Sequence, residues 1–283
     1  MVATDARRLL QFALALLVIA GGAAEHTRRL ERAAERQIRS ELGGAGEVRV
    51  QIKPQWGALG VLLAKADAIH VYASGFQTAQ MPFFTETPVT AWQGHARRVH
   101  IKLEDFRLRG VPVRRLEATL PNVALDSRAA AFALRIRLFR TGWGDGRVTL
   151  DETCLTEFIA RRLPEVHSVQ VNLAASGVTI TGEIAALLGS WRFTASGQVA
   201  VREGQQVVIE NASLHMEGEE LPQAVVQKVM DALNPVLDIE RDLRLGSAFV
   251  VERVEQGDGS ISLIGRATIP PRQTGGLNGS RKP

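Results

Sequence analysis

The stretch EFIARRLPEVHSVQV (Glu157–Val171) repeats the outline of RQIRSELGGAGEVRV (Arg36–Val50), which lies 121 positions earlier. Ile159 falls on Ile38, Leu163 on Leu42, Val169 on Val48 and Val171 on Val50. Each copy reads as a helix, a break and a strand. In the first, Leu30, Ala34, Ile38 and Leu42 recur every four residues within TRRLERAAERQIRSEL, a narrow apolar stripe on a run of good helix formers. Gly43 and Gly44 stop that helix. EVRVQIKP then alternates Val48, Val50 and Ile52 against Arg49 and Gln51 until Pro54 ends the strand. In the second copy, Asp151 and Thr153 supply helix-start chemistry ahead of CLTEFIARRL, Pro164 breaks the helix, and SVQVNL alternates.

The echo continues beyond these blocks. HVYASG (His70–Gly75) answers RFTASG (Arg192–Gly197), and VHIKLEDFRLRG (Val99–Gly110) answers VVIENASLHMEG (Val207–Gly218). In the first of the longer pair, apolar positions Val99, Ile101 and Leu103 change phase to Phe106 and Leu108; in the second, Val207 and Ile209 change phase to Leu214 and Met216. Side-chain direction alternates with period two, so a phase change inside a strand marks a bulge or corner. The pattern predicts an α+β fold of two similar halves, each a helix packed on long, curved antiparallel strands. The half-repeats cover residues 27–125 and 149–238, with closing strands to 270, all in one domain over residues 25–270.

Further strands follow from alternation. WRFTASGQVAV sends Trp191, Phe193, Ala195, Gly197, Val199 and Val201 to one face. AFALRIRLFR alternates Phe132, Leu134, Ile136 and Leu138 against Arg135 and Arg137, and TGWGDG reads as the hairpin turn to RVTL. SISLIGRATI closes the ordered part, and the tail over residues 271–283 has a disordered composition. A last helix starts near Pro222, with Val225, Val229, Leu233 and Leu237 in one row, and is kinked or ended by Pro235.

The 283 residues are 45% hydrophobic and 23% charged, ordinary values for a chain that buries a substantial core. Aromatics make up 5%, so the core is mainly aliphatic. The formal charge is +4 and the pI about 9.7, yet the arginines are dispersed and no basic run is interleaved with aromatics. That argues against a nucleic-acid partner and suits weak attraction to anionic membrane surfaces. Near the start, Arg7 and Arg8 precede an apolar run from Leu9 to Ala24 that ends in Gly21, Gly22, Ala23 and Ala24. At about 1.5 Å per helical residue the run spans roughly 24 Å. Residues 1–24 therefore read as a signal peptide or an N-terminal membrane anchor, and either reading places the rest of the chain outside the cytoplasm, in the cell envelope.

Nothing in the sequence announces a reaction. The single cysteine, Cys154, permits neither an intrachain disulfide nor a cysteine zinc site. The six histidines lack metal-ligand spacing, and no nucleophile elbow, zincin or phosphate-loop motif occurs. GWGDG (Gly142–Gly146) and GDG (Gly257–Gly259) each offer one carboxylate and read as turns, not calcium loops. Cys154, in a helical first turn, reads as a small half-buried residue. No catalytic residue, metal or cofactor is assigned. One feature is odd for a loop: QMPFFTETP places Met81, Phe83 and Phe84 between strands. They either fold back on the core or form a tip that dips into a membrane or lids a lipid entrance.

The blocks VRVQIKP, LLAKADAIHVYASGF and VHIKLEDFRLRGVPV resemble the LmeA-like family of bacterial lipid-binding proteins. The resemblance covers roughly Leu30 to Pro270 and rests on alternating apolar letters plus ADAIHVYASGF; it carries no catalytic motif. It implies an exported or membrane-associated protein with a tubular architecture, a helix wrapped by a curved sheet, that binds phospholipid or glycolipid. On this reading Trp191, Phe193, Val199, Val225, Val229 and Leu233 are candidates to line a lipid cavity, and an arginine at its rim holds phosphate. Two other readings stay open: an envelope scaffold with a solid core, and a hydrolase built on convergence of Asp67, His70 and Ser74.

Overall fold

The computed structural model describes residues 22–271, apart from 23, 45, 57–59, 61–62, 82, 88–92, 187–188, 217–226, 228–230 and 232. The N-terminal apolar run up to residue 21, the tail from 272 and most of the helix expected after Pro222 lie outside the described residues.

Helix α1 (residues 24–41) leads into β1 (Glu47–Pro54) and β2 (Lys65–Ser74). After β3 (Gln77–Thr78) come two long strands, β4 (Gln93–Leu108) and β5 (Val111–Asp126), then the short helix α2 (Ser127–Phe132). Next are β6 (Leu138–Arg140), β7 (Gly144–Asp151) and helix α3 (Glu152–Arg162). Strands β8 (Val166–Ala174), β9 (Gly177–Ala186), β10 (Gly189–Arg202), β11 (Gln206–Met216) and β12 (Leu237–Asp238) precede the closing hairpin β13 (Phe249–Gly257) and β14 (Ser260–Ala267).

These elements correct the expectation of an α+β fold in two similar halves. Strands hold 57% of the described residues and helices 18%. The strands form two sheets of different size and topology. The larger has nine strands in the order β1-β2-β4-β5-β7-β14-β13, with β3 added to β4 and β6 to β5. The smaller has five, in the order β12-β11-β10-β9-β8. The larger sheet collects strands from both ends of the chain, and its β2 and β4 run parallel. Alternation identifies a strand but not its neighbour, and this is where the two-halves reading fails.

The helix–break–strand unit does occur twice, as α1–β1 and α3–β8, with the same local device. Glu35 and Glu31 of α1 accept hydrogen bonds from the Val50 and Ile52 backbone N–H groups at 3.0 and 2.7 Å. Thr156 and Glu152 of α3 accept from Val171 and Leu173 at 3.0 and 2.8 Å. Each helix thus satisfies donors on a sheet's edge strand, which would otherwise stay open to pairing with another chain. The likeness ends there. Helix α1 flanks the edge of the large sheet, whereas α3 packs on β8 of the small sheet and against β5 and β7 of the large one. Its buried Leu155, Phe158 and Ile159 join the two sheets into one core. The Gly259 N–H also donates to the Leu173 carbonyl, and the Gln256 amide to that of Ala174.

The curvature has local causes. Asp105 in β4, Asn122 in β5, Ser168 in β8 and Asn211 in β11 all have positive φ. Across the β4–β5 ladder Glu104 pairs with Arg115 and Phe106 with Val113, so the register holds across Asp105, which lies opposite Arg114. The register does shift at His167/Gln170 in β8 and opposite Asn211 in β11. Short polar side chains tolerate this conformation, and each bulge bends its strand. Both phase changes read in the sequence coincide with such points.

Two local expectations are overturned. DSRAAAF forms helix α2, because the Asp126 carboxylate caps it by accepting from the Ala129 N–H at 2.9 Å. Phe132 therefore ends a helix, and only Leu138–Arg140 of the expected strand pairs. TGWGDG is not a hairpin turn, since β6 pairs with β5 and β7 pairs with β5 and β14.

On the outer face of the large sheet, His70 and His100 are register partners whose rings stack at 4.8 Å. Burial, then the neighbouring His100, Lys53 and Arg98, hold His70 below the usual histidine range. Burial, Arg98 and Lys53 do the same for His100. The unfolded chain binds protons with an ordinary value of about 6.5, so acid favours unfolding. The stability contribution is complete above that value and is lost as pH falls below it. Thermal melts across this window should show Tm dropping with acid, and His70→Phe should flatten the slope. A second prediction concerns the sheet edge. Glu31→Ala with Glu35→Ala removes two charge-assisted bonds worth about 2–4 kcal/mol together. Differential scanning fluorimetry should show Tm lower by on the order of 10 °C, and light scattering should show faster aggregation.

Candidate functional site

The inner face of the large sheet carries Ile69 and Val71 of β2, Val99 and Ile101 of β4, and Leu116, Ala118 and Leu120 of β5. The space over this face is not filled. Two cavities occupy it, of about 710 and 460 Å³. Helix α1 walls the larger with Ala33, Ala34, Gln37 and Ile38, and Leu134–Leu138 wall its other side. The smaller is closed by Leu243, Leu245, Ala248 and Phe249. Both are of the size of small-molecule sites and are walled mainly by aliphatic and aromatic side chains.

What roofs them is the connection between β2 and β4. Parallel neighbours cannot be joined by a tight turn, so the chain must travel back along the strand length. Its described part runs over the inner face. It is pinned where the Thr85 N–H donates to the Pro270 carbonyl at 2.9 Å and the Glu86 N–H to the Leu138 carbonyl at 2.7 Å. Arg137 pairs with Glu86 at 3.6 Å. Phe83 and Phe84 of this strap line both cavities, together with Glu41, Ile101 and Ile269, and so stand at the division between them.

The cavities have polar rims. Arg36, Ser40 and Arg135 border the larger one, Arg147 and Arg244 the smaller. Arg36 and Arg135 are exposed, and neither is ion-paired with a described residue. Inside, the Gln37 amide nitrogen reaches the Ile136 carbonyl at 3.4 Å, while its buried Oε1 accepts no hydrogen bond.

The residues singled out by sequence fall in two places. Met81, Phe83 and Phe84 are half-buried; Met81 lines the smaller cavity and the two phenylalanines line both. Trp191, Phe193 and Val199 lie on β10 of the small sheet, and Leu233 precedes β12. Phe193 and Leu233 are fully buried and Trp191 and Val199 half-buried, but none of the four lines either large cavity. Val225 and Val229 lie outside the described residues. Sequence reading missed Ile101, Leu116, Ala118 and Ile269, although Ile101 stood within the alternating run that marked β4.

The described residues contain no group of histidine, cysteine and carboxylate side chains able to hold a metal ion. Asp67 pairs with Arg97 at 3.6 Å, and His70 stacks on His100. His70 and Ser74 are four residues apart on one strand, about 13 Å. The three do not converge. Burial and the adjacent Asp151 push the Cys154 thiol up to about 12.

The sequence pattern of the LmeA-like phospholipid-binding family matches residues 85–266. The chain belongs to this family. The match spans β4 to β14 and so takes in most of both sheets and the inner faces of β4 and β5. No curated protein and no solved structure matches the chain. Among the described residues no helix is long and apolar enough to cross a membrane. With its thiol so far from ionisation, Cys154 should resist Ellman's reagent at pH 8 in the native protein and react fully only after denaturation.

Proposed function

We propose that the protein binds phospholipid by sheltering acyl chains in the two cavities on the inner face of the large sheet. The observation that carries this reading is their meeting at Phe83, Phe84 and Ile101, beneath a strap of the same chain. Each methylene moved from water into such a space is worth about 0.8 kcal/mol. A 16-carbon chain therefore offers roughly 12 kcal/mol before entropy losses. Aliphatic walls recognise any chain of suitable length, so headgroup choice falls to the rim. Arg36 and Arg135, exposed and free of a described carboxylate partner, are suited to accept a phosphate there. In this reading Met81, Phe83 and Phe84 serve as roof and partition, and the protein acts as a carrier or store in the cell envelope, not as an enzyme. The apolar run at Leu9–Ala24 supports the envelope assignment.

Protein purified without detergent should release phospholipid on organic extraction, detected by mass spectrometry at near-stoichiometric yield. Ile101→Trp, which places an indole where the cavities meet, should cut that yield severalfold while circular dichroism keeps the β signal. A wild-type protein that carries no lipid and takes up none from vesicles would overturn the proposal.

A further inference from the structure

Three large apolar side chains stand exposed at one end of the nine-stranded sheet. Trp56 is 63% exposed, Leu63 51% and Phe132 77%. They come from different elements, yet the register brings them together. Pro54 at the end of β1 pairs with Ala66 at the start of β2, Lys65 with His95 at the start of β4, and Gln93 with Asp126 at the end of β5, just before α2. Their neighbours Pro54, Ala64 and Ala131 line one small apolar hollow of about 50 Å³. The exposure of Trp56 is built in. Its backbone is left-handed, at φ 57°, an uncommon state for a bulky residue. The adjacent Gln55 is buried, and its N–H donates to the Lys65 carbonyl at 2.9 Å. Gly60 is also buried, and a Cβ there would lie 1.6 Å from the Gln55 carbonyl oxygen. Gln55 and Gly60 pack closely against each other, and the indole is left outside.

Two further observations say what covers this end. The loop between β1 and β2 reads WGALGVLLAK, without a charge until Lys65, whose Nζ lies 5.1 Å over the Trp56 ring. Arg128 adds an exposed cation on α2. Tryptophan beside basic residues on an apolar patch is the composition of a membrane–water interface. The chain also enters the structure here: His26, Thr27 and Leu30 of α1 line the same hollow, so the apolar segment Leu9–Ala24 is attached at this end.

We propose that this end, with Trp56, Leu63 and Phe132 as its anchors, docks on a phospholipid bilayer. Resting on the lipid-binding reading above, the same end is where acyl chains enter. The hollow shares Ile69 and Ile136 with the 710 Å³ cavity, which in turn meets the 460 Å³ cavity at Phe83 and Phe84. The three voids form a row along the inner face, and the row begins at the patch. Ile136 stands at the first narrowing.

The test uses the full chain reconstituted in equimolar phosphatidylcholine and phosphatidylglycerol vesicles, with and without brominated acyl chains. The emission of Trp56, taken as the difference between wild type and Trp56→Phe, should be quenched by the brominated lipid. Leu63→Asp with Phe132→Asp should relieve the quenching, and because both side chains are exposed, the fold should persist by circular dichroism. Equal Trp56 emission in both vesicles would overturn the proposal. So would a change of oligomeric state in the double variant without any quenching in wild type, which would assign the patch to a second copy. Lipid extraction keeps the two readings apart. Copurified lipid with no Trp56 quenching leaves binding standing and removes docking; quenching with no copurified lipid does the reverse.

Discussion

The parallel pairing of β2 and β4 is the constraint on which the interior depends. Antiparallel neighbours close with a turn at one end and leave both sheet faces free. A parallel pair obliges the chain to travel the length of the strands before pairing again. Here the return path crosses the inner face, is held at Thr85 and Glu86 by carbonyls of Pro270 and Leu138, and carries Phe83 and Phe84 against the sheet. A bent sheet alone would be an open trough. The strap converts it into a covered space whose walls are apolar and whose volume its own side chains do not fill.

The helices act mainly at the margins. The carboxylates of α1 and the side chains of α3 complete donors on β1 and β8 that have no strand beyond them. Helix α3 also lies between the sheets and ties to β4 through a two-pronged ion pair of Arg107 with Glu157, whose Nη2–Oε2 arm measures 2.7 Å. That pair holds the Glu157 carboxyl below its usual range. In the small sheet Phe193, Ile180 and Val166 are buried, while Trp191, Val199, Val201, Leu214 and Met216 are half-buried. The two voids lie over the large sheet, and no described residue of β8–β11 lines either.

This division explains why cavity residues were harder to read than strands. Alternation in WRFTASGQVAV and in VHIKLEDF marks an inward face equally well in both cases. Whether that face meets other side chains or a void depends on what lies opposite, and nothing in a strand's own letters encodes it. Phe193 is buried and lines neither void, while Ile101, with the same pattern, is buried and borders both. Phe83 and Phe84 stood out because aromatics are scarce and loops seldom hold two together. Their standing between two cavities required the strap's course to be known.

By itself the sequence determined the local elements: the helix–break–strand units, the inward rows, the phase changes within β4 and β11, and the likeness that pointed to lipid. These follow from steric and hydrogen-bonding preferences acting within a few residues. Only the tertiary structure decided that the two units build unequal sheets, that β2 and β4 run parallel, and that a hollow remains beneath their connection. Strand neighbours, and the space left between faces, are set by contacts between residues far apart in the chain, whose free energy is shared among many side chains and written in no single stretch.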